Sequence, residues 1–149
     1  MSKISVLMSV YKKENPEYLR ASLESILVQT RTADEILLIE DGPLTQELYQ
    51  VVAEYQKKCD YLHVHAMEQN VQLGRALAKG VELCQYDLIA RMDTDDIAMP
   101  DRLEREGAYM EAHPEVDVVG GAIREFNDEG TRDRVKNMPK TQEEILEYV

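Results

Sequence analysis

The chain has 149 residues, 44% hydrophobic and 31% charged, enough for one domain with a buried core. Its formal net charge of −12 argues against nonspecific binding to nucleic acid and against docking on anionic lipid through a broad basic face. There is no signal peptide and no apolar run long enough to span a bilayer, and Cys59 and Cys84 make no metal-like pair, so both are expected reduced in or near the core, as in the cytosol.

Ile4 to Val10 reads as a first buried strand. Asn15-Pro16-Glu17 then supplies a cap, a proline at the first helical position and an acid in the first turn, and Leu19, Leu23, Ile26 and Leu27 follow at helical spacing. Glu35 to Glu40 is a second strand, closed by Asp41-Gly42-Pro43. A helix is expected from Thr45 to Lys57, a third strand from Tyr61 to Ala66, and a helix from Leu73 to Cys84 with Leu73, Leu77, Val81 and Cys84 on its inner face. Tyr86 to Met92 is the fourth strand. Pro100 opens the next helix, with Leu103 and Met110 inward and His113-Pro114 at its end. Val116 to Ile123 reads as a fifth strand, Asn127 to Gly130 as a turn and Thr131 to Pro139 as a polar loop. Thr141 to Glu144 is a capping box opening a last helix, whose amphipathic pattern is cut after two turns, so the natural protein is expected to continue. The alternation of continuous apolar strands with helices predicts an α/β domain, a Rossmann-like, mainly parallel sheet flanked by helices.

In such a sheet the ends of strands one, two and four open on one edge, where ligands bind. Those ends carry Ser9 to Lys12, Glu40-Asp41-Gly42, and Asp93-Thr94-Asp95-Asp96. Three carboxylates in four residues repel one another without a counter-ion, and a hard divalent cation with oxygen ligands is the natural one. The plainer reading of this segment is a helix-entry loop with one acid as cap, but three acids exceed what a cap needs. Asp41, on a different strand end, can accept from a nucleobase imide or a ribose hydroxyl; taken alone, Asp41-Gly42-Pro43 reads first as a turn. A calcium EF-hand is excluded because Ile97 and Ala98 stand where an oxygen ligand and a glycine belong. A haloacid dehalogenase-type phosphatase would carry its Asp-x-Asp after the first strand, not the fourth.

Asn70 to Leu77 opens the third helix, where Gly74 permits close backbone approach and Arg75 can face a phosphate; a solvated arginine is the simpler alternative. Arg91 precedes the acids and can pair with them or with a diphosphate. His63 and His65 alternate on a strand without a third ligand and are read as structural.

In this order the motifs resemble the family 2 glycosyltransferases, which have the GT-A fold. They are Ser5-Val6-Leu7-Met8-Ser9-Val10-Tyr11, Ser22-Leu23-Glu24-Ser25-Ile26-Leu27-Val28-Gln29-Thr30, Glu35 to Gly42, Asn70 with Gly74-Arg75-Ala76, Ala90 to Asp96, and Met99-Pro100-Asp101-Arg102-Leu103. The resemblance implies inverting transfer of a sugar from a nucleotide-diphosphate donor, UDP-linked by default, to an acceptor hydroxyl. The donor site would comprise Val10, Tyr11, Asp41, Asn70, Gly74, Arg75, Arg91, Asp93 and Thr94, with Mn²⁺ or Mg²⁺ held by Asp95 and Asp93. Asp41 would hold the base and Tyr11 would lie against it. The family more often has Asp where this chain has Glu40.

Family members place the catalytic base well after the Asp-x-Asp and usually run longer. Residues 1–149 are therefore expected to be the donor-binding portion, with the base beyond Val149 and the acceptor-binding portion missing. The resemblance implies bacterial cell-surface polysaccharide synthesis and a glycan or lipid-linked acceptor. It implies a cytoplasmic protein, with a lipid-linked acceptor placing the complete enzyme at the inner membrane face. Two rivals remain: a non-catalytic nucleotide-sugar-binding module, and a sugar nucleotidyltransferase. The second would carry a glycine-rich basic loop where Tyr11 to Pro16 has no glycine.

Overall fold

A computed structural model describes residues 1–129 and 133–149. β1 (Ile4–Val10), β2 (Glu35–Glu40), β3 (Leu62–Ala66) and β4 (Leu88–Arg91) form one sheet in the order β3-β2-β1-β4. Every pairing in it is parallel, with Val10 opposite Glu40 and Leu7 opposite Arg91. β1 and β2 are central, and their apolar runs are buried almost throughout, as strands covered on both faces require.

α1 (Pro16–Leu27) starts as its sequence dictates: the Asn15 side chain accepts the Glu17 amide and Pro16 occupies the first turn. α2 (Gln46–Lys58) is capped by Thr45. Leu19, Leu23 and Ile26 of α1 and Leu48, Val51, Val52 and Tyr55 of α2 meet Ile4, Val6, Met8, Ile36 and Leu38 of the sheet in the main core. α3 (Leu73–Leu83) lies over Leu7, Leu37 and Ile39 in a second cluster.

The inner face of α3 differs from the expected one. Leu73 and Val81 are exposed, whereas Ala76 and Gly80 are buried and Leu77 and Cys84 pack beside them. The helix sits too close to the sheet for large side chains: a Cβ on Gly80 would lie 2.3 Å from Leu7 Cδ1. Cys59 is buried and Cys84 half-buried, both as free thiols.

α4 (Arg102–Ala112) begins two residues after Pro100, with Leu103 buried and Met110 half-buried. The expected fifth strand is displaced. Residues 116–122 form no strand, and Val118 is 85% exposed. Gly120 and Gly121 interrupt the apolar run. β5 is instead Ile123–Phe126, antiparallel to β6 (Asp133–Lys136), which occupies part of the expected polar loop. Exposed ion pairs cross this small backbone-paired sheet: Arg124 meets Asp133 through two 2.7 Å bonds and Arg134 meets Glu125 at 2.9 Å. Of the expected turn and loop, Gly130, Thr131 and Arg132 lie outside the described residues. α5 (Gln142–Tyr148) opens with the full Thr141–Glu144 capping box. Among the described residues, no helix is long and apolar enough to cross a membrane.

Candidate donor-binding site

The carboxyl ends of β1, β2 and β4 converge on one edge, because all three strands run parallel. Asp41 follows β2 and is 4% exposed. Its amide donates to the Val10 carbonyl at 2.8 Å, extending the ladder one residue past the strands. Its Oδ1 accepts the Val71 amide at 2.7 Å, and its Oδ2 accepts Asn70 Nδ2 at 3.2 Å. Gly42 makes this approach possible: its φ is +86°, and a Cβ there would lie 2.6 Å from the Asn70 nitrogen. Val10 itself is buried and offers only its carbonyl, while Tyr11 beyond it is 44% exposed.

Gln72, at the entry to α3, holds a positive φ of 71° without being glycine, a strained conformation of the kind concentrated at ligand sites. Its side chain does not cap the helix. Gly74 and Arg75 follow in the exposed first turn, and Arg75 has no ion pair among the described residues.

Beyond β4, Asp93 is half-buried while Asp95 and Asp96 are exposed, and one carboxylate oxygen from each lies within 4.8 Å of the others. At such separations two unit charges repel by roughly 1 kcal/mol in water and several times more at lower dielectric. Partial desolvation of its carboxyl by neighbouring atoms, and then the charges of Asp95 and Asp93, push exposed Asp96 up. Arg91 offsets part of this charge through a 2.6 Å bond to Asp93. Three hard oxygen donors with no soft ligand fit Mn²⁺ or Mg²⁺. Thr94 points away from them. It is 3% exposed, and its hydroxyl donates to the Glu14 carboxylate at 2.6 Å.

Glu40 sits beside this site, 7% exposed, with its Oε2 lacking a hydrogen-bond partner. Burial raises its pKa.

Several residues here carry no site assignment from sequence. Glu14 reaches Thr94 from the loop after β1, Ser22 of α1 reaches the Asp93 carbonyl, and Ser25 of α1 and Gln29 just beyond it reach Ala98 and Met99. A signal for two of them exists: Ser22 and Ser25 interrupt the apolar helical pattern of Leu19, Leu23 and Ile26 with polar side chains.

Residues 5–148 match the family described as Glycosyl transferase family 2. The chain belongs to glycosyl transferase family 2. It is 47% identical over 98% of its length to an uncharacterized glycosyltransferase of Haemophilus influenzae, covering 55% of that protein. It is 43% identical over 97% of its length to the amylovoran biosynthesis glycosyltransferase AmsE of Erwinia amylovora, covering 53% of it. An Escherichia coli UDP-Gal:alpha-D-GlcNAc-diphosphoundecaprenol beta-1,3-galactosyltransferase is 34% identical over 98% of the chain and is 53% covered. This family 2 chain thus spans about half the length of these curated relatives.

Solved structures agree on the fold. TarS of S. aureus in complex with UDP-GlcNAc superposes with a TM-score of 0.66 at 23% identity, over 75% of this chain and 32% of that one. The mannosyltransferase PcManGT of Pyrobaculum calidifontis, in complex with GDP-Man and Mn²⁺, gives 0.69 at 14% identity, over 83% and 36%. The fold of this family 2 chain is GT-A, as its motifs imply.

Proposed function

We propose that this chain is the donor-binding portion of an inverting, metal-dependent glycosyltransferase that uses a UDP-sugar in bacterial cell-surface polysaccharide synthesis. The observation that carries this reading is the placement of Asp41 and the Asp93-Asp95-Asp96 cluster on separate loops at one edge of a parallel sheet. One carboxylate can accept from a base while the others meet a diphosphate through a cation.

Asp41, fixed by Asn70 and Val71, accepts from the uracil imide, and the exposed Tyr11 ring lies against the base. Gly74 and Arg75 at the start of α3 approach the nucleotide, and Arg91 and the Asp93-Thr94 backbone border the diphosphate. Asp95 and Asp93 hold the metal, with Asp96 beside them. A bound Mn²⁺ or Mg²⁺ would supply Lewis-acid stabilisation of the charge that develops on the departing diphosphate. The relatives named for amylovoran synthesis and for a diphosphoundecaprenol-linked substrate support a glycan or lipid-linked acceptor.

Inversion needs a base on the acceptor hydroxyl. Three acids downstream of the cluster are engaged elsewhere: Glu125 with Arg134, Asp128 with the Tyr18 hydroxyl, and Asp133 with Arg124. We place the base beyond Val149.

The test is calorimetry of UDP and UDP-sugars, with and without Mn²⁺, on this chain and on Asp95→Ala. Binding that needs both Mn²⁺ and Asp95 is expected. Silence toward UDP, GDP and other nucleotides alike would sink the reading for these residues.

A further inference from the structure

The acidic segment has few contacts of its own to hold its shape. Within it, the Asp96 amide donates to the Asp93 carbonyl at 3.3 Å. Thr94 Oγ1 also donates to the Glu14 carboxylate at 2.6 Å and Arg91 bonds Asp93 at 2.6 Å. Further support for the segment and the residues that follow it comes from the second half of α1 and residues 29 and 30 just beyond it, 70 or so residues away in sequence. Ser22 Oγ donates to the Asp93 carbonyl at 3.2 Å. Ser25 Oγ donates to the Ser22 carbonyl at 2.7 Å and accepts the Ala98 amide at 3.0 Å. Gln29 Nε2 donates to the Met99 carbonyl at 2.7 Å and to the Ser25 carbonyl at 3.0 Å, while its Oε1 accepts the Leu103 amide at 3.0 Å. The Thr30 amide adds a 2.8 Å bond to the Pro100 carbonyl.

These contacts run in register: residues 22, 25, 29 and 30 meet 93, 98, 99 and 100 in order. Ser22 and Ser25 of α1 and Gln29 just beyond its end are buried, at 0%, 7% and 7% exposure. Burying three polar side chains is costly unless their bonds are made, and here they are made in part to the backbone at Asp93 and at residues 98–103. Gln29 also does for α4 what Asp101 does not. Asp101 makes no side-chain cap bond, and the Leu103 amide of the first turn is satisfied by Gln29.

We infer that Ser22 and Ser25 of α1, with Gln29 just beyond it, form a positioning rail that fixes the backbone at Asp93 and at residues 98–103 and so keeps the Asp93–Asp96 carboxylates together against their mutual repulsion, presetting the cation site before any cation arrives. The inference rests on the donor-site reading of that cluster. The rail touches neither cation nor nucleotide; it acts only through the backbone of residues 93–103.

Gln29→Met keeps nearly the same volume and removes all three of its bonds; Gln29→Glu keeps the acceptor for the Leu103 amide. The readouts are Mn²⁺-dependent UDP affinity by calorimetry and amide hydrogen exchange of the metal-free chain. Tyr55→Phe, which removes a bond from Tyr55 to Glu24 away from the rail, controls for loss of stability alone. Gln29→Met is expected to weaken Mn²⁺-dependent UDP binding by about tenfold or more, as loss of groups that orient metal ligands does. It should also speed exchange at the Leu103 amide, whose acceptor it removes. Gln29→Glu should recover the Leu103 protection, and Tyr55→Phe should leave both readouts unchanged. Should Gln29→Met fail to fold, Ser22→Ala, which deletes one bond, carries the same test with a smaller loss.

Wild-type affinity in folded Gln29→Met or Ser22→Ala, or an equal loss in Tyr55→Phe, overturns the rail. A wild-type chain that binds no nucleotide with Mn²⁺ overturns the donor-site reading, and the rail with it.

Discussion

Asp41 Oδ1 accepts the Val71 amide at 2.7 Å, joining the end of β2 to the segment that leads into α3. With Asn70 on its other oxygen, Asp41 is both a structural anchor and the candidate base-recognition group. The two roles separate by substitution. Asp41→Ala leaves the Val71 amide without its acceptor and the Asn70 side chain with only the Asp41 carbonyl, and is expected to cost about 1–2 kcal/mol, read from urea denaturation. Asp41→Asn keeps one acceptor oxygen, so its stability should fall less. Both should lose UDP affinity in calorimetry. Asp41→Ala with wild-type UDP affinity would remove Asp41 from the donor site.

Two glycines of α3 should respond in opposite directions. A methyl on Gly80 meets Leu7, itself 1% exposed, so Gly80→Ala forces a buried side chain to move. Overpacking costs about 1–3 kcal/mol, and the alanine's helix propensity returns up to about 1. A net loss is expected in urea midpoint. A Cβ on Gly74 meets nothing within 4 Å, so Gly74→Ala should hold or raise stability by a few tenths of a kcal/mol. Its methyl would nonetheless occupy the space in which the nucleotide is proposed to lie, and UDP affinity should fall. Stabilisation of Gly80→Ala would show that α3 does not seat on Leu7 as described.

The difference between these glycines also marks how far the sequence can be read. The four parallel strands are legible because each is a continuous apolar run bounded by caps and turns, and their order of connection places Asp41 and Asp93–Asp96 on one edge. The seating of α3 is not legible, since hydrophobic spacing favours Leu73 and Val81, whereas close approach selects Ala76 and Gly80. Nor are β5 and β6: they are short, exposed and rich in charge rather than apolar, and the stronger apolar run at Val116–Val119 lies just before them. Ser22 and Ser25 can be seen as polar intrusions in a buried stripe. Their partners, 70 residues away, follow only from the packing of α1 beside the β4–α4 segment.

Glu40 should make stability depend on pH. Its carboxyl is buried with Oε2 unpartnered, and burial raises its folded-state pKa above the unfolded value. Between those two values the folded chain binds more protons than the unfolded one, so this group's contribution to stability falls as pH rises through that window. Below the unfolded pKa the penalty vanishes; above the folded pKa it is complete. Glu40→Gln removes the titration and is expected to gain on the order of 1 kcal/mol at neutral pH. The gain should shrink as the pH is lowered through the carboxylate range. Urea midpoints of both proteins across that range decide it, and a gain that grows on acidification would contradict the assignment.

The acidic cluster should set stability against binding. Asp96 is pushed up by partial desolvation and then by Asp95 and Asp93, so in the metal-free chain its charge is unfavourable. Asp96→Asn removes that charge while keeping the shape. With a chelator present, the variant should melt higher than the wild type, by an amount limited by solvent screening to a few tenths of a kcal/mol up to about 1. Adding Mn²⁺ with UDP should invert the order. The wild type gains linkage stabilisation that rises with ligand concentration over Kd, and the variant, with one fewer charge at the cation, gains less. Melting temperatures in chelator and in saturating Mn²⁺–UDP give both halves of the comparison. If Asp96→Asn were less stable than wild type in chelator, repulsion would not govern the cluster. If its gain with Mn²⁺–UDP matched the wild type's, Asp96 would stand outside the cation site and leave it to Asp93 and Asp95.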